Sequence, residues 1–212
     1  MTRRKIAIPL ALGMITTVAL GCSENAEPRL APGSATASSS SVSKPQTNPA
    51  RPTLTAPKLQ PPSQQNEYTT QGRPEVVFDP CTWISDDAIV KAGLDPSTRR
   101  RGDDLVAEYT FLTCDFDGRL RDLQVDSGNV AWEENLRKND AHSEPLTVNG
   151  REALQVRDPS TPRRCDIHVR TKVGYVTFSS ARTFEGSETG LGLCDGVLEI
   201  ATALEPEIGE EN

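Results

Sequence analysis

The sequence predicts an α+β domain in which an antiparallel sheet carries helices packed on one face, with elements in the order α-β-β-α-β-β-β-α and two disulfides. Three observations predict it. Residues 166–173 alternate, Ile167, Val169, Thr171 and Val173 on one side and Asp166, His168, Arg170 and Lys172 on the other, which describes a strand with one buried and one wet face. Two turn signals, Asp117-Gly118 and Asn149-Gly150, each lie between β-rich runs, as in hairpins. Leu193, Val197, Ile200, Ala201 and Leu204 form an apolar stripe near the end of the chain, stopped by Glu205-Pro206. Helices segregated on one side of such a sheet make a two-layer sandwich.

The first helix has the fullest set of signals. Ser85 is its N-cap, Asp86 and Asp87 lie in the first turn where the helix dipole favours them, and Ile84 and Ile89 stand at staple positions. Gly93 ends it, with Asp95-Pro96 beyond. Residues 109–116 and 120–125 are the arms of a hairpin whose Asp117-Gly118 turn reads as type I′. Residues 130–138 carry Trp132 and Leu136 at i, i+4 and are expected to be a middle helix. Residues 146–148 and 152–156 flank the Asn149-Gly150 turn, and residues 175–181 return from residues 166–173 through Gly174.

The N-terminus reads as an address. Arg3, Arg4 and Lys5 precede an apolar run that ends in Val18-Ala19-Leu20-Gly21-Cys22, a run too short to span a bilayer, which takes roughly 20 apolar residues. This is a lipobox: residues 1–21 are expected to be a lipoprotein signal peptide, and Cys22 to carry a diacylglyceryl group with palmitate-type chains. Each buried methylene contributes about 0.8 kcal/mol, so two chains anchor stably where one does not. The expected location is the extracytoplasmic face of the cell membrane.

Residues 22–74 then read as the lipidated cysteine and a disordered tether. Of residues 23–74, 23 are Pro, Ser or Thr, too little apolar surface to offset the entropy of ordering. Residues 75–212 have the length of a single domain and carry 15 basic against 27 acidic residues, which disfavours nucleic acid as a partner.

With Cys22 committed to lipid, Cys81, Cys114, Cys165 and Cys194 remain, an even number in an oxidising compartment, and three connectivities are open. Cys81–Cys114 and Cys165–Cys194 are favoured because each joins a cysteine near a helix start to one in or beside a neighbouring strand. A zinc site is not expected, since no Cys-x-x-Cys pair occurs. Asp115, Asp117 and Gly118 echo a calcium loop, but Gln124 stands where that loop needs its glutamate.

Catalytic residues, cofactors and metals are expected to be none. His142 lies in a polar loop and His168 on what the alternation makes the solvent face; no Gly-x-Ser-x-Gly or His-Glu-x-x-His motif occurs, and Ser41 to Lys44 matches Ser-x-x-Lys without its companions. Arg101-Gly102-Asp103 matches an integrin-read tripeptide by chance, but Arg99, Arg100, Arg101 and Asp103 together form a possible contact loop.

Phe78-Asp79-Pro80-Cys81, the helix ending Ala92-Gly93-Leu94-Asp95, Thr113-Cys114, Asn149-Gly150-Arg151 and Leu193-Cys194-Asp195 together resemble the actinobacterial secreted lipoproteins called domain of unknown function 3558. The likeness spans residues 76–204, with Phe116 standing where many relatives have tryptophan two positions after the cysteine. It implies a mycolate-type Gram-positive envelope and implies no activity. The function expected is therefore a non-catalytic binding or accessory module of the envelope, its partners being the membrane through Cys22 and an envelope protein or wall component. The alternative is a carrier of a small apolar ligand, held between sheet and helices by Trp83, Phe111, Trp132 and Phe178.

Overall fold

The computed structural model describes residues 54–67 and 72–212. The expected signal peptide, Cys22 and most of the expected tether lie outside the described residues. The chain forms short helices α1 (Pro80–Trp83) and α2 (Asp86–Lys91), then strands β1 (Arg100–Arg101), β2 (Leu105–Val106), β3 (Thr110–Phe116) and β4 (Arg121–Gly128). Helix α3 (Trp132–Asn139) leads to β5 (Ser143–Val148), β6 (Arg151–Val156), β7 (Arg164–Arg170) and β8 (Tyr175–Arg182), followed by α4 (Phe184–Glu188) and α5 (Val197–Leu204). The class is α+β with an eight-stranded antiparallel sheet, ordered β1-β3-β4-β8-β7-β6-β5, with β2 also pairing β3. Four strands, not three, follow the middle helix, because both arms around Asn149-Gly150 are full strands.

The main core lies between one face of this sheet and α1, α2 and α5. Phe116, Leu123, Val125, Ile167, Val169 and Phe178 from the strands meet Ile84, Ile89, Ile200, Ala201 and Leu204 from the helical side. Ser85 caps α2 by accepting from the Ala88 amide, and Ile84 and Ile89 are fully buried, as the staple requires. Gly93 takes φ +78°, its amide donates to the Val90 carbonyl and that of Leu94 to the Ile89 carbonyl: a Schellman ending.

The two disulfides are Cys81–Cys114, fixing α1 to β3, and Cys165–Cys194, fixing β7 to the segment before α5. Their sequence separations of 33 and 29 residues correspond to about 3–4 kcal/mol each in the chain-entropy account. Reduction is therefore expected to lower the urea midpoint in two separable steps, one per cystine, and a midpoint indifferent to reductant would refute it.

Three sequence expectations change. Helices do not occupy one face alone: Asn135 of α3 accepts a hydrogen bond from His168, whose face of β7 is opposite to that of Ile167 and Val169. Trp132 and Leu136 together with Val130, Leu154, Val156, Tyr175 and Phe111 make a second, smaller core there. The connection after Phe116 is four residues long and Gly118 has no positive φ, so it is no type I′ turn; a Cβ on Gly118 would lie 2.5 Å from the Arg121 carbonyl oxygen. Asn149 (φ +48°) and Gly150 (φ +90°) do form one.

The third change concerns residues 54–67, which the tether reading left without a core. Leu59 is buried, the Leu54 amide donates to the Thr82 carbonyl, and Gln64 exchanges two side-chain hydrogen bonds with the backbone of Val76 at 2.8 and 2.9 Å. Two leucines and the 3-10 turn Pro57–Leu59 suffice because the domain supplies the apolar surface and the hydrogen-bond partners that the segment itself lacks.

Candidate functional site

The sheet face away from the main core gathers several titratable groups that burial perturbs. Antiparallel register places Thr113, Asp126, Thr177 and His168 in one row across β3, β4, β8 and β7, and Asp115, Gln124, Ser179 and Asp166 in the next. Neighbours in a row are about 4.8 Å apart and rows about 6.8 Å apart. Buried Thr177 and Ser179 form a floor of small hydroxylated side chains, with the Asp126 side on one flank and His168 and Asp166 on the other. Thr177 lies in a groove of about 340 Å³, and Ser179 borders the depression beside it that Arg164 and Asp115 line.

One end of the groove is aromatic. The Phe111 ring lies across Gly128, where a Cβ would come within 2.2 Å of it, so only glycine admits this placement. Phe111 meets Tyr175 edge-on at 5.8 Å, and Tyr175 stacks on the His168 ring at 5.1 Å. Helix α3 closes the His168 side through Asn135, Lys138 and Asn139, while Asp103 and half-exposed Leu105 form the opposite rim.

Burial dominates the electrostatics. It pushes the Asp126 carboxyl up to about 6, although the Thr113 hydroxyl donates to it at 2.8 Å and Arg164 and Gln124 also favour its ionised form. Asp166 is raised for the same reason, against the Ser179 hydroxyl and Arg164, and its Oδ1 is buried without a hydrogen bond. Burial, reinforced by Lys138 and His142, pushes His168 down to about 3, and burial together with Asp126 and Glu134 raises Tyr175 to about 12. Such clustering of perturbed groups in one cleft marks a candidate site.

His168 is thus not on a wet face as the alternation suggests; it is 8% exposed because α3 covers that part of the sheet. The ring Nδ1 lies 2.9 Å from Asn135 Oδ1, which also accepts from the Asn139 amide, so we assign the ring proton to Nδ1 and the lone pair to Nε2. Nε2 has no protein partner among the described residues. His142 reaches Asn139 Oδ1 at 3.1 Å and does not line the groove.

The expected contact loop divides. Arg99 is buried, donating to the Cys81 carbonyl and to Asp86 with its guanidinium over the Phe116 ring, and Arg101 is enclosed by Asp79, Asp104 and the Leu59 carbonyl. Arg100 is half-exposed and paired with Asp117 at 2.8 Å; Asp103 is exposed on the groove rim. The loop is therefore mainly a structural clasp. Nor do the four aromatics share a cavity: Phe178 is sealed in the main core, Trp83 packs against that core, and Phe111 and Trp132 are on the opposite side. Among the described residues no cluster of His, Cys, Asp or Glu could hold a metal ion, and no helix is long and apolar enough to cross a membrane.

A model of a family described as "Protein of unknown function (DUF3558)" matches residues 17–207. The chain belongs to the DUF3558 family. Neither a curated protein nor a solved structure matches it. The motifs that carry the likeness build the DUF3558 scaffold. Asp79 caps α1 and receives the Thr82 hydroxyl, Cys81 is bonded to Cys114, and the Asn149 side chain donates to the Thr202 carbonyl while Arg151 reaches Glu205 and the carbonyls of Gly209 and Asn212. The groove's Asp126, Asp166, His168 and Tyr175 lie outside these motifs. The alternation of β4 and β7 places an acid on this face in each, but the pairing order β4-β8-β7 that brings them together is not written in either strand.

Proposed function

We propose that this protein is a lipid-anchored, extracytoplasmic binding module of the cell envelope and that it is not an enzyme. The observation that carries the binding reading is the groove over Thr177, a shaped cleft rich in carboxylates beside an aromatic wall. Its histidine, held near 3, is too weak a base for proton transfer at neutral pH, and the cysteines of the domain are consumed in disulfides. Two cystines support an oxidising, extracytoplasmic setting, and Cys22 after Val18-Ala19-Leu20-Gly21 supports anchorage. The partner in this reading is an envelope protein or wall component reached on a tether that ends before residue 54.

The apolar-carrier reading has less support. An apolar cleft of about 380 Å³ lies beside Leu94, Leu120, Leu191 and Ile200, but it opens between helix ends and contains none of the four aromatics.

The test is Cys22→Ala in the producing cell. The variant is expected to keep an uncleaved leader and to partition differently into detergent, and deleting residues 23–50 is expected to impair complementation of the deletion phenotype while the domain folds normally. Identical partitioning of variant and parent, with the mature N-terminus elsewhere, would refute the anchor.

A further inference from the structure

We propose that the groove over Thr177 binds an organic cation, an ammonium or guanidinium group on a short apolar stem, between Asp126 and Asp166 with His168 Nε2 as a neutral acceptor. This deepens the binding reading and rests on it. The first support is the imbalance of partners: Asp103, Asp126, Asp158 and Asp166 line the groove against the single ammonium of Lys138. An anion would meet repulsion there.

The second support is independent of the acids. His168 is nine-tenths buried, its Nδ1 is engaged by Asn135, and Nε2 is left as an acceptor without a protein donor. Being neutral, the ring does not repel a cation, and an N–H of the ligand is the partner it lacks. The buried Asp166 Oδ1 lacks a donor as well. A neutral polyol could donate hydrogen bonds, but beside the two acids it would add no positive charge to that of Arg164, whereas a cation further offsets the burial that raises both.

The wall supplies the place for the stem. Phe111 and Tyr175 present ring surface at one end, and Leu105 stands 44% exposed on the rim, an arrangement that suits methylenes below a charged head and cation–π contact with the head itself. About 340 Å³ holds a short diamine or one basic side chain and not a folded surface. The shared chemistry therefore has two sources, a free amine or a lysine- or arginine-type side chain of a wall peptide or partner.

The experiment is calorimetric titration of the full chain with putrescine, with spermidine and with capped Gly-Lys-Gly and Gly-Arg-Gly, using N-acetylglucosamine as the neutral probe. Saturable binding of at least one cation is expected, weakened about tenfold or more by Asp126→Asn or Asp166→Asn, which remove a shielded charge while keeping shape. Lys138→Met is expected to tighten it by roughly three- to fivefold, an effect that mere loss of structure would not produce. Tighter binding of a free amine than of the peptides assigns the first source, and the reverse order the second. No cation binding at millimolar concentration, an equal affinity for the neutral sugar, or weaker binding by Lys138→Met with unchanged circular dichroism would overturn the proposal. The anchor and tether experiments would be untouched by that failure.

Discussion

Arg101→Met is expected to destabilise the domain by about 3–5 kcal/mol, because it strands two shielded carboxylates. The guanidinium donates to Asp79 at 2.7 Å and to Asp104 at 3.3 Å, and the three side chains are only 13%, 5% and 10% exposed. Each acid has a second duty: Asp79 caps α1 and accepts from the Thr82 hydroxyl, and Asp104 accepts from the Thr113 amide of β3. The same guanidinium donates to the Leu59 carbonyl, so its loss should also loosen residues 54–67 and open them to protease. Urea unfolding at constant m measures the first effect and limited proteolysis the second. Adding Asp79→Asn should restore part of the loss, since the asparagine can still cap α1 without a stranded charge. A loss below about 1 kcal/mol would mean that the clasp does not hold the segment, against what a broken buried pair costs.

How far the fold could be read from the sequence depended on whether the deciding contact was local. Ser85 and Gly93 bracket α2 through bonds made within a few residues, and Asn149-Gly150 makes its turn with backbone angles that those two residues favour. The disulfide pairing was legible because each bridge joins two cysteines consecutive in the sequence, one near a helix start and one in or beside a strand. Asp117-Gly118 misled because the loop there is set by a distant neighbour: the Asp117 carbonyl receives the Asp95 amide, and its amide is bonded by the Thr98 hydroxyl.

The candidate site depended on non-local facts almost entirely. Period-two alternation places His168 and Asp166 correctly on the face opposite Ile167, but says nothing of what covers that face. Helix α3, with Asn135 and Trp132 inward, converts a wet face into a shielded one at His168 and leaves a groove beside Asp126. The same reasoning explains residues 54–67: their composition cannot build a core, yet Leu59 needs only to join one already built.

Between pH 6.5 and 4.5, the stability of the parent relative to His168→Gln is expected to fall by roughly 2 kcal/mol. In the folded chain His168 is held neutral, at about 3, by burial and by nearby Lys138 and His142, whereas its ordinary value is 6.5. Within this window the unfolded chain takes up a proton that the folded chain refuses, so stability falls as pH falls, with a slope that rises from half of about 1.4 kcal/mol per pH unit at 6.5 towards that full value. The contribution is fully present above 6.5 and is gone below about 3. Asp126 acts in the opposite sense: its raised value, about 6, stabilises the fold below the ordinary carboxylate range and loses that stabilisation as pH rises through 6. Because both proteins keep Asp126, its effect cancels in the difference. Glutamine can still donate to Asn135 Oδ1, so the substitution removes the titration and the Tyr175 stack while retaining the tie to α3. Urea midpoints at half-unit pH steps give the two profiles. The parent should lead at pH 7 by about 1 kcal/mol from the ring stack, and the variant should overtake it by pH 5. Parallel profiles would show that His168 titrates alike in the folded and unfolded chains, so that the groove's central acceptor becomes a cation at mildly acid pH and the charge balance on which amine binding depends is lost there.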